Sequence, residues 1–263
     1  MNKRQCIFCG SKDLSREHIY SKWIFTILQA KEKVFKPSFH FIERSNANEY
    51  ADNFSNDVSD GREIRYDDFT LKQVCNACNN GWMSELEVKV KNIFVDLLDN
   101  CLDINHISAD DALTLSQWVI LKTMLASLTT QQKIVFSTMA YRLIQKGIIP
   151  EGFIVEVTKM KYSNLNYMIG GPIVRKAFDI SREELDFAIM NLYKACLQIG
   201  NIAFRVSFLR TEIPVFRKQI IRKLFVLYPY KSKMPFDKQP NEEIDYGEKL
   251  ELPILSAQLA VHD

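Results

Sequence analysis

Val74-Cys75-Asn76-Ala77-Cys78-Asn79-Asn80-Gly81-Trp82-Met83 is the stretch that decides the fold of this 263-residue chain. It sets a C-x-x-C pair directly before a helical pattern. Beyond it, Leu86, Val90, Ile93, Phe94 and Leu97 recur at helical spacing, which predicts a helix over 83–98. A second pair, Cys6-Ile7-Phe8-Cys9, stands near the start and is followed by Gly10, the residue a tight turn needs to aim amides at sulfur. Two such knuckles supply four thiolates, and zinc favours tetrahedral coordination by four cysteines with Zn–S near ~2.3 Å. A redox C-x-x-C needs only one pair, so matched pairs favour a structural metal. Their separation is far longer than in a simple zinc ribbon, so the metal is expected to staple the two ends of an insert. Such a site contributes on the order of 10 kcal/mol to folding. Cys101 and Cys196 stand alone in helical patterns and read as small apolar core residues.

The insert reads as strand, loop, strand. Phe35, Phe39 and Phe41 mark 34–43; Ile64, Tyr66, Phe69, Leu71 and Val74 mark 63–74; the polar stretch 46–61 joins them. Just after the first knuckle stands Arg16-Glu17-His18-Ile19. A carboxylate can hold a hard cation, and the imidazole beside it, with ordinary pKa near ~6.5, can take a proton from water. Asn79 follows Cys78 where the second knuckle turns into the helix. Its side-chain carbonyl can reach back as a second oxygen ligand, and Mg²⁺ suits so sparse an oxygen site because it keeps several waters.

The string C-x2-C, then Glu17-His18-Ile19, then C-x2-C-Asn79 resembles HNH nucleases of the ββα-metal, treble-clef type that carry a structural zinc. The likeness covers about residues 1–100. It implies that Cys6, Cys9, Cys75 and Cys78 hold Zn²⁺, that His18 is the general base, and that Glu17 and Asn79 bind a catalytic Mg²⁺ or Mn²⁺. The activity it implies is hydrolysis of phosphodiester bonds in DNA, leaving 5′-phosphate and 3′-hydroxyl ends. The chain departs from the common pattern at Ser21, where many members have Pro, at Trp82, where Lys is frequent, and at Thr70, the place of a middle Asn that braces the His-bearing loop. Asn53, Asn56 and Thr70 are the candidates to replace that Asn. His40 lies in an aromatic strand and reads as a strand residue; His106 and His262 receive no role.

Working further outward, Ser108 followed by Asp111 marks a helix start, with Leu115, Trp118, Val119, Leu121, Leu125 and Leu128 on its apolar face. A helix over 131–146 is expected to end at Gly147, a strand over 153–159 to precede the turn Gly170-Gly171-Pro172, and a helix opened by Ser181-Arg182-Glu183-Glu184 to close near Gly200. Ile202, Phe204, Val206 and Phe208 alternate as a strand. The expected architecture is α+β: an N-terminal HNH module over 1–107, then a mixed α+β domain over 108–263 whose role is open, with DNA binding and regulation as the candidates.

Composition sets the outer bounds. Apolar residues make up 47% and charged residues 25%, the balance of a folded chain, and no apolar run is long enough to span a bilayer. The start, Met1-Asn2-Lys3-Arg4-Gln5-Cys6, has no apolar stretch behind it, so a cytoplasmic location is expected. The net charge of +2 identifies no partner. Residues 1–107 hold 14 Lys/Arg against 16 Asp/Glu, and 108–263 hold 20 against 16, a first part suited to a cation and a second suited to a polyanion. Within the second, Arg217, Lys218, Arg222 and Lys223 are the candidate nucleic-acid contacts. A second copy of the chain, or a regulatory partner or ligand acting through 108–263, stays open, as in restriction and antiphage effectors. The rival class is a zinc-stabilised module that binds nucleic acid or protein without chemistry.

Overall fold

A bulged pair of antiparallel strands brings the two cysteine pairs together. Strand β1 (Leu14–His18) runs against β6 (Thr70–Cys75), with Leu14 opposite Cys75 and His18 opposite Thr70, and the register slips between Ser15 and Glu17. The computed structural model describes residues 5–29, 34–35, 39–40, 57–58, 64–99, 102–129, 136–170, 192–209 and 225–228. Among these the chain is mixed helix and strand, as expected.

The insert between β1 and β6 begins with α1 (Lys22–Ile27), which buries Ile24 and Phe25. Two short ladders follow: β2 (Val34–Phe35) pairs with β5 (Ile64–Arg65), and β3 (Phe39–His40) with β4 (Asp57–Val58). The expected loop over 46–61 is therefore interrupted by a strand at Asp57–Val58, because an alternating partner lies opposite it. The expected strand over 63–74 is broken by a 3-10 turn at Tyr66–Asp68. There Asp67 pairs with Arg65 beside it instead of continuing the alternation.

Behind the second knuckle, one turn of helix, α2 (Asn76–Cys78), widens into a π-type turn at Asn79–Met83 and then becomes α3 (Ser84–Leu98). Gly81 carries the kink, with φ −93° and ψ −118° inside the helical run. Glu85 and Glu87 occupy the first turn of α3, where the helix dipole favours carboxylates. Val90, Ile93, Phe94 and Leu97 form its buried stripe.

Helix α4 (Ala109–Ser127) starts where the sequence indicates: the Ser108 hydroxyl accepts from the Asp111 amide at 3.1 Å. It is buried on every side from Trp118 to Ser127, as a helix placed between two layers must be. Trp118 is wholly buried, with ring centroids 5.9 Å from Trp23 and 6.3 Å from Phe94. Helix α5 (Thr138–Gln145) begins at its cap Ser137, inside the expected 131–146, and ends at Gly147 with φ +73°. Residues 131–135 lie outside the described ones.

The second layer is an antiparallel sheet in the order β8-β7-β9, made of β7 (Phe153–Gly170), β8 (Leu192–Leu209) and β9 (Phe225–Tyr228). One expectation fails here. The helix meant to close near Gly200 is a strand from Leu192 onward, and Cys196 therefore lies in a strand. Tyr193 to Gly200 are all buried, so both faces of this segment are covered and its alternation is masked. Cys196 remains a buried thiol, as its small apolar reading requires. The turn at 171–172, the helix start at 181–184, the segment 215–224, the C-terminal tail and Cys101 lie outside the described residues.

One apolar core runs through both layers. Phe94 on α3 meets Phe204 on β8 at 5.9 Å, and Phe8 in the first knuckle meets Tyr141 on α5 at 5.8 Å. The boundary at 107/108 marks a helix start within this shared core.

Candidate metal centre

The four cysteines converge. Their Sγ atoms all lie within 4.8 Å of one another, and Cys9 Sγ is 3.5 Å from Cys75 Sγ. A tetrahedron with Zn–S near ~2.3 Å needs sulfurs about 3.8 Å apart, so the cluster has the dimensions for an ion of this kind. The backbone fixes it. Gly10, at φ +79°, lets its amide donate back to Cys6 O at 2.8 Å, and Ile7 N donates to Gln73 O at 3.0 Å, tying the first knuckle to β6. In the second knuckle the Cys78 amide donates to Cys75 Sγ at 3.4 Å. Burial raises the Cys6 thiol, but the amides of Cys9, Cys75 and Phe8 outweigh it and bring the group down to about 7. Burial pushes the Cys78 thiol up. Four cysteines held this way can bind a metal ion such as zinc. Phe8 packs edge-on to Trp82 at 5.1 Å, and Gln145 of α5 donates to Cys78 Sγ at 3.8 Å, so the second half of the chain also reaches the cluster.

The residues nominated for chemistry lie along the same strand pair. Glu17 is buried, and its Oε1 accepts from Lys122 Nζ at 2.6 Å. The same ammonium lies 2.8 Å from Glu87 Oε1 and donates to the His18 carbonyl at 3.0 Å, so its three protons have three oxygens. Ser21 Oγ donates to Glu87 Oε1 at 2.5 Å. Burial works against the Lys122 charge, but Glu17 and Glu87 outweigh it and hold the ammonium above its ordinary value. Burial likewise opposes the Glu87 charge, and Lys122 and Ser21 overcome it, holding the carboxyl below its ordinary value. Glu17 Oε2 accepts no hydrogen bond among the described residues.

His18 ends β1 half-buried. Burial lowers its pKa, and the charges of Lys22 and Lys122 act with burial against the pull of Glu17, so the neutral imidazole is favoured. Its carbonyl is fixed by Lys122, and the next amide, Ile19 N, donates to Phe69 O at 3.1 Å. Asn79 is tied back to β1: its Nδ2 donates to Ser15 Oγ at 3.1 Å, and Ser15 Oγ donates to Val74 O at 3.1 Å. Thr70, the place of the usual middle Asn, lies across the ladder from His18.

Sequence reasoning does not single out Lys122 or Glu87. The available signal is Lys122 itself, the one charged residue in the apolar run Trp118–Leu128, since a buried lysine needs a counter-ion. Arg217, Lys218, Arg222, Lys223, Asn53, Asn56 and His262 lie outside the described residues, as does the side chain of His40. His106 is exposed and lies 3.4 Å from Asp103. No helix among the described residues is long and apolar enough to cross a membrane. No family model, curated protein or solved structure matches this chain.

Proposed function

We propose that the chain is an HNH-type endonuclease that hydrolyses phosphodiester bonds in DNA with a divalent metal ion. The observation that carries the reading is the Glu17-His18 strand end, paired with the strand that runs into the second cysteine knuckle, with Asn79 tied back onto it. In this reading β1, β6 and α3 are the ββα-metal module, and Cys6, Cys9, Cys75 and Cys78 hold Zn²⁺ that fixes the module's two ends.

The neutral His18 imidazole takes a proton from a water as that water attacks phosphorus, and the 3′ oxygen leaves. Glu17, through Oε2, and Asn79, through its side-chain carbonyl, would hold Mg²⁺ or Mn²⁺. Such an ion, when bound, supplies positive charge to a non-bridging oxygen and to the leaving oxygen. Lys122 holds Glu17 Oε1 in place and fixes the peptide that carries His18. The contacts of Lys122 and Gln145 with the site favour a form of this activity that depends on the second half of the chain.

The test is cleavage of supercoiled plasmid and single-stranded DNA by pure protein with Mg²⁺, Mn²⁺ or EDTA, beside His18→Ala. Metal-dependent cutting should fall at least ~100-fold in the variant, the usual worth of a general base. Equal cutting by both proteins sinks the assignment of His18. DNA binding by both with no cutting under any condition points instead to the zinc-stabilised binding module.

A further inference from the structure

The Lys122 side chain occupies a place with the make-up of a cation site. Glu17 Oε1, Glu87 Oε1 and the His18 carbonyl converge on one point, at 2.6, 2.8 and 3.0 Å from Nζ. Two of the three are carboxylate oxygens and the third is a backbone carbonyl, the donor set that hard divalent cations take, with Ca²⁺ at about 2.3–2.6 Å. They come from two separate elements, β1 and α3, which do not meet at a point by local geometry alone. Ser21 holds the Glu87 oxygen in place through its own hydrogen bond. Lys122 leaves α4 where that helix is buried all round, and its side chain is only 1% exposed, so the ammonium is confined to this position.

We propose that the Lys122 ammonium is a built-in cation of the centre, filling the place that Glu17, Glu87 and the His18 carbonyl would otherwise offer to a second divalent ion. The centre then takes one exchangeable divalent ion and draws its other positive charge from the protein. Two-metal phosphodiesterases hold their ions about 3.5–4 Å apart on shared carboxylates. Here Glu17 is the shared carboxylate, with Oε1 on the ammonium and Oε2 without a hydrogen bond among the described residues. A tethered ammonium carries a lower charge than a divalent ion, but it is present at every metal concentration. The catalytic part of this role rests on the nuclease reading; the oxygen cage around Nζ does not.

The experiment counts ions in the zinc-loaded full-length chain. Mn²⁺ uptake is measured by the paramagnetic resonance of free Mn²⁺ in the parent, in Lys122→Ala and in Lys122→Ala/Glu87→Gln. Lys122→Ala should take up one more Mn²⁺ per chain than the parent, and the double variant should lose that extra ion. In melting curves, millimolar Mn²⁺ or Ca²⁺ should raise the midpoint of Lys122→Ala by about 5 °C more than that of the parent. Equal uptake together with no metal-dependent recovery overturns the proposal. If Lys122→Ala is obtained only as aggregate, refolding with and without Ca²⁺ decides: a higher folded yield with Ca²⁺ supports the cage, and equal failure overturns it. An extra Mn²⁺ in Lys122→Ala from a parent that never cuts DNA would defeat the nuclease reading and leave the cation cage standing.

Discussion

Cys9→Ser isolates what a metal at the cysteine cluster does for the fold. Cys9 is exposed, whereas Cys6, Cys75 and Cys78 are buried. Replacing one exposed sulfur removes little packing, and ordinary surface substitutions stay within about 0.5 kcal/mol. The same atom is one of four sulfurs that a bound metal would join, linking residue 9 to residue 75, 66 positions away. Cross-linking a loop of that length restricts the unfolded chain by roughly 4 kcal/mol on the chain-entropy model. The full site is worth on the order of 10 kcal/mol, so losing one ligand should cost about 4 kcal/mol or more. For a chain of this size that is a fall in melting temperature of at least about 8 °C. Metal content by atomic emission and urea melts on the same preparations read both quantities. A Cys9→Ser protein that retains one zinc per chain and melts within about 0.5 kcal/mol of the parent would refute the reasoning, since the thiolates would then be bystanders. Loss of zinc without loss of stability would separate binding from folding and refute it equally.

Two further predictions concern the sheet. Gly200 has φ +64°, and a Cβ there would meet Leu98 Cδ2 at 2.8 Å and Leu28 Cδ2 at 3.2 Å; Gly200→Ala should cost about 1–3 kcal/mol, mostly from the left-handed backbone because the leucine tips can shift, and an unchanged urea midpoint would contradict this. Burial pushes the Lys194 ammonium down to about 7, with the charge of Arg205 acting the same way and Cys196 opposing. Unfolded, the group titrates near ~10.4, so between these values the unfolded chain holds the extra proton and stability should rise with pH, by up to about 1 kcal/mol per unit. Cys196, pushed up to about 12 by burial, works the opposite way above its ordinary ~8.5, so the clean window is about pH 7 to 8.5. Lys194→Met should flatten the slope there; the same slope in both proteins would show that another group sets it.

What is legible in the sequence is what local chemistry dictates. Two C-x-x-C pairs carry their purpose in their own spacing, and the structure brings all four sulfurs together. The cap at Ser108 and the strand at Ile202 to Phe208 are legible because each is decided by residues a few positions apart. The segment from Leu192 to Gly200 reads wrongly as helix because its Lys194 and Gln198 are as buried as its Tyr193 and Leu197, and a strand covered on both faces loses the polar alternation that marks it. One buried charged pair in this sheet joins residues far apart in the chain: Arg205 forks onto both oxygens of Glu156, at 2.6 and 2.7 Å, across 49 residues. Glu17 stands out in the sequence because it adjoins His18, but its partner lies 105 residues on.

That long separation bears on how the site is built. A strand of five residues does not by itself fix which way the Glu17 carboxylate points. Its direction is set from α4, which is buried from Trp118 to Ser127, packs through Trp118 on Trp23 and Phe94, and sends Lys122 to Glu17 Oε1. Phe94 lies two turns beyond Glu87 on α3 and packs on Phe204 of the sheet, so the second carboxylate is held against the same layers. Interiors packed this closely transmit displacement instead of absorbing it. The geometry at Glu17 and His18 is therefore a property of the whole core, and a change in the sheet that moves α4 moves the site with it.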